Sequence, residues 1–308
     1  MITAICLNPC IDKTVTVDGV RLGEHNRVID NQVHPAGKGV NVAVVLKRLR
    51  EDVRLLGFNY TDNGNVLQQY LDDEQVECRF VWVNGEVRTN IKLHDISNDS
   101  ITELNETGGF VNQDKLRELF DELNACAADT DMYVISGSLP LGCDEDIYKT
   151  IVKNAPHRCI VDCAGECFAM AVEAAPFMVK PNRYELEGYI GRRLEGINDC
   201  VDAARMLIEK GIKVVCVSLG DEGAVITDGT VAYYAPAVNV RVNSSVGAGD
   251  SLVAGFCKGM MAGRDLEGCF KMGIAAATAC VMSSGTGLLD EDSFNLMLAR
   301  VQIKEIEL

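Results

Sequence analysis

From residue 53 onward the chain alternates short apolar runs with stretches of helical period, and no other feature limits its architecture as much. Residues 132–136, 159–162, 177–180 and 213–218 are strand-like. Leu116, Leu119, Phe120 and Leu123 form one helical stripe, and Ala203, Leu207 and Ile208 another. Strands separated by helices make βαβ units, so an α/β fold is expected, with a mostly parallel sheet covered by helices on both faces. The last third is expected to be helical over 249–262, 266–283 and 292–301. Two stretches break the rhythm. Residues 14–17 and 28–33 lack helical period, as do 88–94 and 101–104, which the turn-rich 97–100 joins. These four could form a small separate sheet.

Glycine clusters stand where helices begin. In Gly247-Ala248-Gly249-Asp250 the small residues leave backbone amides uncovered, and Leu252, Phe256 and Met260 then recur at helical spacing. Amides at a helix N-terminus favour an anion through both donors and dipole. A carboxylate there would repel a resting phosphate unless it has a task. Asp250 could accept a proton from a hydroxyl attacking a phosphoryl group while the amides of Gly247, Ala248 and Gly249 hold the developing charge. The alternative is a glycine turn capped by an aspartate. No Gly-Lys-Ser/Thr follows, and Leu252 occupies the third glycine position of a dinucleotide fingerprint.

Ala36-Gly37-Lys38-Gly39-Val40-Asn41 also precedes a helical face, made by Val42, Val45, Leu46 and Leu49. Gly37 and Gly39 would let a ligand approach the backbone, Lys38 would meet an anion, and Asn41 could bond hydroxyls. A solvated loop lysine is the plain alternative. A third cluster follows the strand-like 177–179, which Pro181 ends. Asn182 and Glu185 stand three apart on the next turn, where both side chains can face one point. An amide oxygen and a carboxylate so placed suit Mg²⁺ held largely through water. The same spacing suits a helix N-cap with its capping-box partner.

Composition excludes several classes. A chain of 308 residues that is 47% hydrophobic can bury a large core, and a formal charge of −16 opposes nucleic acid or an anionic membrane as partner. If the substrate is a phosphate ester, positive charge must be concentrated locally, with Lys38, Arg27 and Arg88 as candidates. The 13 cysteines are scattered through apolar runs, as reduced core thiols are. Cys159, Cys163 and Cys167 are evenly spaced, but a strand end separates them, so a metal site is not expected. With no visible signal peptide and no apolar run long enough to span a bilayer, the chain is expected to be cytoplasmic.

These clusters, with Asn8-Pro9-Cys10-Ile11-Asp12 near the start, resemble in order the phosphofructokinase-B branch of the ribokinase superfamily. Val134-Ile135-Ser136-Gly137-Ser138-Leu139-Pro140, Val161-Asp162 and Val217-Ser218-Leu219-Gly220 with Gly223 fill the positions between. The resemblance covers essentially the whole chain. It is greatest to the bacterial 1-phosphofructokinases, partly through Arg88-Thr89-Asn90-Ile91-Lys92-Leu93, and next to the tagatose-6-phosphate kinases. It implies one ribokinase-like domain over 1–308, with the small sheet as a lid inserted from about 11–34 and 88–108 and as the contact of a homodimer. It also implies ATP and Mg²⁺ as cofactors and a sugar phosphate as substrate. Asp250 would be the base; Asp12 and Asn41 would bond sugar hydroxyls, with Gly37 giving close backbone approach. Lys38 and Arg88, helped by Arg27, would clamp the phosphate already on the sugar. Ser138 would lie at a strand end facing the substrate. Ser218, Gly220 and Gly223 would line the nucleotide groove, and Asn182 and Glu185 would hold hydrated Mg²⁺. A 6-phosphofructokinase of the same branch, a kinase for an uncharged sugar or nucleoside, and a non-catalytic sensor are the rival readings. The cations at 38 and 88 count against the uncharged substrate, and the retained Asp250 and Glu185 against the sensor.

Overall fold

The apolar runs become strands of one large sheet, and the irregular stretches become a second, small one. The computed structural model describes residues 1–155, 157–283 and 287–308. In chain order the strands are β1 (Ile2–Cys6), β2 (Cys10–Val17), β3 (Asp30–Ala36), β4 (Val53–Tyr60), β5 (Glu77–Val83), β6 (Arg88–Asp95) and β7 (Ser100–Asn105). They continue as β8 (Met132–Ser136), β9 (Arg158–Asp162), β10 (Met178–Val179), β11 (Val214–Ser218), β12 (Ala224–Thr227), β13 (Ala232–Ala235) and β14 (Lys304–Ile306). The large sheet has the order β14-β13-β12-β11-β10-β9-β8-β1-β4-β5. Every pairing from β11 across to β5 is parallel, and β12, β13 and β14 extend that edge antiparallel.

Both faces of this sheet are covered, which is why β1, β4 and β8 are buried at every residue and are mostly apolar. Alternation sends Ile2, Ala4 and Cys6 to one core, with helices Lys38–Arg48, Ala248–Met261 and Leu266–Met282. It sends Ile5 to the other core, with helices Gln113–Cys126, Gly165–Val172 and Gly196–Ile208. Helices Ala248–Met261 and Leu266–Met282 touch closely because Gly255 lacks a side chain: a Cβ there would stand 2.4 Å from the Met272 carbonyl oxygen. No helix among the described residues is long and apolar enough to cross a membrane. All 13 cysteines are free thiols.

The chain leaves β1 toward β4 and β5 on one side, then returns to β8 on the other. Strand order therefore reverses between β1 and β8, and a crevice opens beyond the carboxyl ends of these strands. The small sheet, β3-β2-β6-β7, belongs to that end, since residues of β2, β6 and β7 line the crevice. Its central pair, β2 with β6, is parallel; β3 and β7 flank it antiparallel. The period of two puts Cys10, Asp12, Arg88, Asn90, Lys92, Glu103 and Asn105 on the crevice face. Ile11, Val33, Ile91, Leu93 and Leu104 fall on the opposite face, where Val33 and Leu104 are exposed.

Candidate active site

The crevice is a cleft of about 700 Å³. Its floor is the start of helix Ala248–Met261, capped by left-handed Gly247. Asp250 stands in the first turn, is buried, and accepts a hydrogen bond from Asn41 Nδ2 at 2.8 Å. Burial and the nearby Asp162 carboxylate push its pKa up to about 6, against the pull of Lys38, Asn41 and Lys180. A carboxylate so tuned is ionised at neutral pH yet basic enough to take a proton. Of the three amides expected to face an anion, that of Ala248 already donates to the Ser245 carbonyl at 3.3 Å. Gly247 and Gly249 line the cleft, and Ala248 does not.

Beside this helix start lies a cluster of opposite charges. Asp162 ends β9 and is 1% exposed. Lys38 Nζ donates to its Oδ1 at 2.9 Å, and Lys180 Nζ stands 3.2 Å from its Oδ2. Burial alone would raise the Asp162 carboxyl, but Lys180 and Lys38 hold it below its ordinary value. Lys38 is therefore no loop lysine: it is the first residue of helix Lys38–Arg48, three residues before Asn41 on the same face. Lys180 Nζ would lie 3.2 Å from a Cβ placed on Gly249. An ammonium against a helix N-terminus is opposed by the dipole, and an anion between them would reconcile the two. The glycines before Asn41 serve packing as much as access. A Cβ on Gly39 would be 2.6 Å from the Ile5 carbonyl oxygen of β1.

The crevice face of the small sheet carries a chain of hydrogen bonds. Arg88 Nη1 donates to Asn90 Oδ1 at 3.2 Å, Asn90 Nδ2 donates to Asp12 Oδ1 at 3.1 Å, and Lys92 Nζ donates to Asp12 Oδ2. At the other end Arg88 Nη2 donates to Ser138 Oγ at 3.4 Å, which Asn8 Nδ2 also reaches at 3.1 Å. The remaining partners of Arg88 are the carbonyls of Glu106 and Asn8. Its guanidinium thus touches only neutral oxygens among the described residues, and its buried Nε has no partner.

At the opposite wall Asn182 and Glu185 form a capping box: Glu185 N donates to Asn182 Oδ1 and Asn182 N to Glu185 Oε2, both at 2.8 Å. Both also line the cleft, and the cap leaves Glu185 Oε1 outside its bonds. Ser218 lines the cleft next to Asn182, with which it forms a β-bridge. Gly220 and Gly223 shape the turn between β11 and β12 and lie off the cleft. Arg27 stands exposed between β2 and β3, also off the cleft.

Sequence reasoning gave no role to Asp162, Lys180, Lys92, Asn90 or Asn8. A signal existed for four of them. Asp162 and Lys180 close apolar strand runs, where α/β sites gather. Arg88, Asn90 and Lys92 recur at a period of two, as one polar face of a strand does. Nothing local marks Asn8, whose bonds to Thr107, Ser138 and Leu139 span about a hundred residues or more.

The chain is similar over nearly its whole length to known proteins. The family described as pfkB family carbohydrate kinase matches residues 6–292. The 1-phosphofructokinase of Escherichia coli K12 is 34% identical over 306 residues, covering 98% of this chain and 98% of its own. The 1-phosphofructokinase of Bacillus subtilis 168 is 30% identical over 309 residues, covering 99% and 100%. Phosphofructokinase-2 from Escherichia coli, solved in complex with substrates and products, superposes with a TM-score of 0.91 at 28% identity, over 97% of this chain and 98% of that one.

Proposed function

The chain belongs to the PfkB family of carbohydrate kinases, and on that premise we propose that it transfers the γ-phosphate of ATP to the 6-hydroxyl of fructose 1-phosphate, yielding fructose 1,6-bisphosphate. It is an ATP-dependent sugar kinase; the sugar and the roles of the residues are the proposal. The observation that carries it is the Arg88 guanidinium, half-buried in the cleft with only neutral oxygens around it. A charged group so placed calls for an anion, and a phosphate already on the sugar supplies one. An uncharged sugar would leave it unpaired.

Phosphoryl transfer is positioning and charge stabilisation. Ser138 and Arg88 hold the resting phosphate, and Asp12 and Asn41 accept and donate bonds to the ring hydroxyls. Asp250 then takes the proton of the 6-hydroxyl as its oxygen attacks. Lys38, read from the sequence as a second clamp on the resting phosphate, is drawn by Asp162 to the side of Lys180 and Gly249. From there its charge, with the amides of Gly247 and Gly249, serves the phosphoryl group in transit. Ser218, with Gly220 and Gly223 shaping the turn that follows it, borders the place of the nucleotide. Among the described residues no three His, Cys, Asp or Glu side chains converge as a metal cage. The donor set at Asn182 and Glu185 fits Mg²⁺ that keeps water and phosphate oxygens as most of its ligands. Such an ion neutralises charge on the phosphates of ATP.

The test is a panel of fructose 1-phosphate, fructose 6-phosphate, tagatose 6-phosphate and fructose, with ATP and Mg²⁺. The highest kcat/KM is expected for fructose 1-phosphate. A higher value for either 6-phosphate would move the protein to another branch activity, and a preference for fructose itself would remove the role given to Arg88.

A further inference from the structure

We infer that Lys92 is a specificity-determining residue that, together with Asp12, reads the hydroxyl on the carbon next to the phosphate-bearing carbon of the sugar. The inference rests on the fructose 1-phosphate reading and names the residue that would select that substrate.

Lys92 is 8% exposed and yet lines the cleft. Its ammonium has three donors, and Asp12 Oδ2 takes one. Among the described residues no other hydrogen-bond acceptor is found for it. A buried ammonium with unfilled donors facing a cleft is costly unless a ligand fills them. Asp12 is just as poised. Asn90 Nδ2 and Cys10 Sγ both donate to its Oδ1 and Lys92 donates to its Oδ2, which fixes the carboxylate in place and leaves Oδ2, beside the ammonium, with a lone pair for a hydroxyl proton. The pair therefore offers ammonium donors and a carboxylate acceptor side by side, and a hydroxyl group can bond one of each.

Its position identifies which hydroxyl. Arg88, Asn90, Asp12 and Lys92 form one continuous chain of bonds, so the lysine head lies two side chains from the guanidinium that holds the resting phosphate. The ketohexose phosphates differ at that end of the ring. In the furanose form of fructose 1-phosphate, the carbon beside the phosphate-bearing carbon carries a hydroxyl, the anomeric one. In fructose 6-phosphate and tagatose 6-phosphate the corresponding carbon carries a hydrogen. A site built to bond a hydroxyl leaves its own polar groups unpaired when the hydroxyl is missing, and so discriminates far better than an apolar pocket can.

The experiment compares fructose 1-phosphate with 2,5-anhydro-D-mannitol 1-phosphate, the same molecule with hydrogen in place of the anomeric hydroxyl. The wild-type enzyme is expected to prefer fructose 1-phosphate by at least about 10²-fold in kcat/KM, the loss expected when a hydrogen bond to a charged group is removed. Lys92→Met keeps the apolar stem and removes the donors. It is expected to cut kcat/KM for fructose 1-phosphate by a similar factor, with the anhydro compound within about threefold of wild type and the KM for ATP unchanged. An equal loss on both substrates would show that Lys92 acts only through the shape of the site and would overturn the inference. A wild-type enzyme that uses both compounds equally well would overturn it without any variant, so a Lys92→Met protein that fails to fold does not shelter it. Wild type turning over neither compound, while accepting a 6-phosphate, would instead bring down the substrate reading itself.

Discussion

At the scale of single residues, the cleft is governed by one carboxylate tuned by another. Asp250 is buried, and Asp162 adds a like charge nearby, so its pKa rises to about 6. A general base must be ionised, so kcat/KM for the sugar phosphate is expected to fall below a pH of about 6, as Asp250 protonates, and to level off above it. Asp162→Asn removes the repelling charge and releases Lys38 and Lys180 to act on Asp250 alone. Its acid limb should move to lower pH while the maximal rate drops, and a pH profile of the variant checks this; an unmoved limb would exclude the coupling. Asp250→Asn should keep ATP binding and lose about 10²–10⁴-fold in turnover. Asp250 and Asn41 were legible in the sequence because glycines and helical period bracket them. Asp162, Lys180 and Lys92 were not, since one polar residue at a strand end looks like any strand exit and a polar residue within a strand, as Lys92 is in β6, looks like any solvated face. Their meaning comes only from convergence, as when Lys38 meets Asp162 across 124 positions.

At the scale of elements, the helices and the long parallel strands followed the apolar periods closely, and the C-terminal helices fell at Ala248–Met261, Leu266–Met282 and Glu291–Leu298. The antiparallel edge did not announce itself. Strands β12, β13 and β14 have four, four and three residues, too few for a period to show. The close helix pair was hidden for another reason: an apolar stripe says which face is buried and nothing about how near the partner comes. A Cβ added to Gly255 would stand 2.4 Å from the Met272 carbonyl oxygen, 2.8 Å from Ala276 Cβ and 2.9 Å from Gly273 Cα, atoms that no rotamer change can move aside. Gly255→Ala should therefore cost about 1–3 kcal/mol by overpacking, though alanine is the better helix former. A melting temperature lowered by several degrees, with KM values unchanged, is the expected outcome; an unchanged or higher melting temperature would show that the helices can part freely.

At the scale of the whole molecule, the small sheet has two unlike faces, one polar toward the cleft and one bearing Ile11, Val33, Ile91, Leu93 and Leu104. Exposed apolar faces and strand edges of so small a sheet want a cover, and a second copy of the chain would supply one. Sedimentation at micromolar concentration should show a dimer, and charged substitutions at Val33 and Leu104 should split it; a fully active monomer would refute the arrangement. The parallel pairing of β2 with β6 has a further consequence. It joins residues such as Asp12 and Asn90, 78 positions apart, with β4 and β5 lying between them in the chain. No local hairpin can supply it, because the two strands meet only when the whole stretch between them is closed into a loop. This wall of the cleft is therefore a long-range structure: Arg88, Asn90, Asp12 and Lys92 come into register only when segments distant in the chain are held together, so a fragment that ends before β6 keeps Asp12 but lacks Asn90 and Lys92, the side chains that hold its carboxylate.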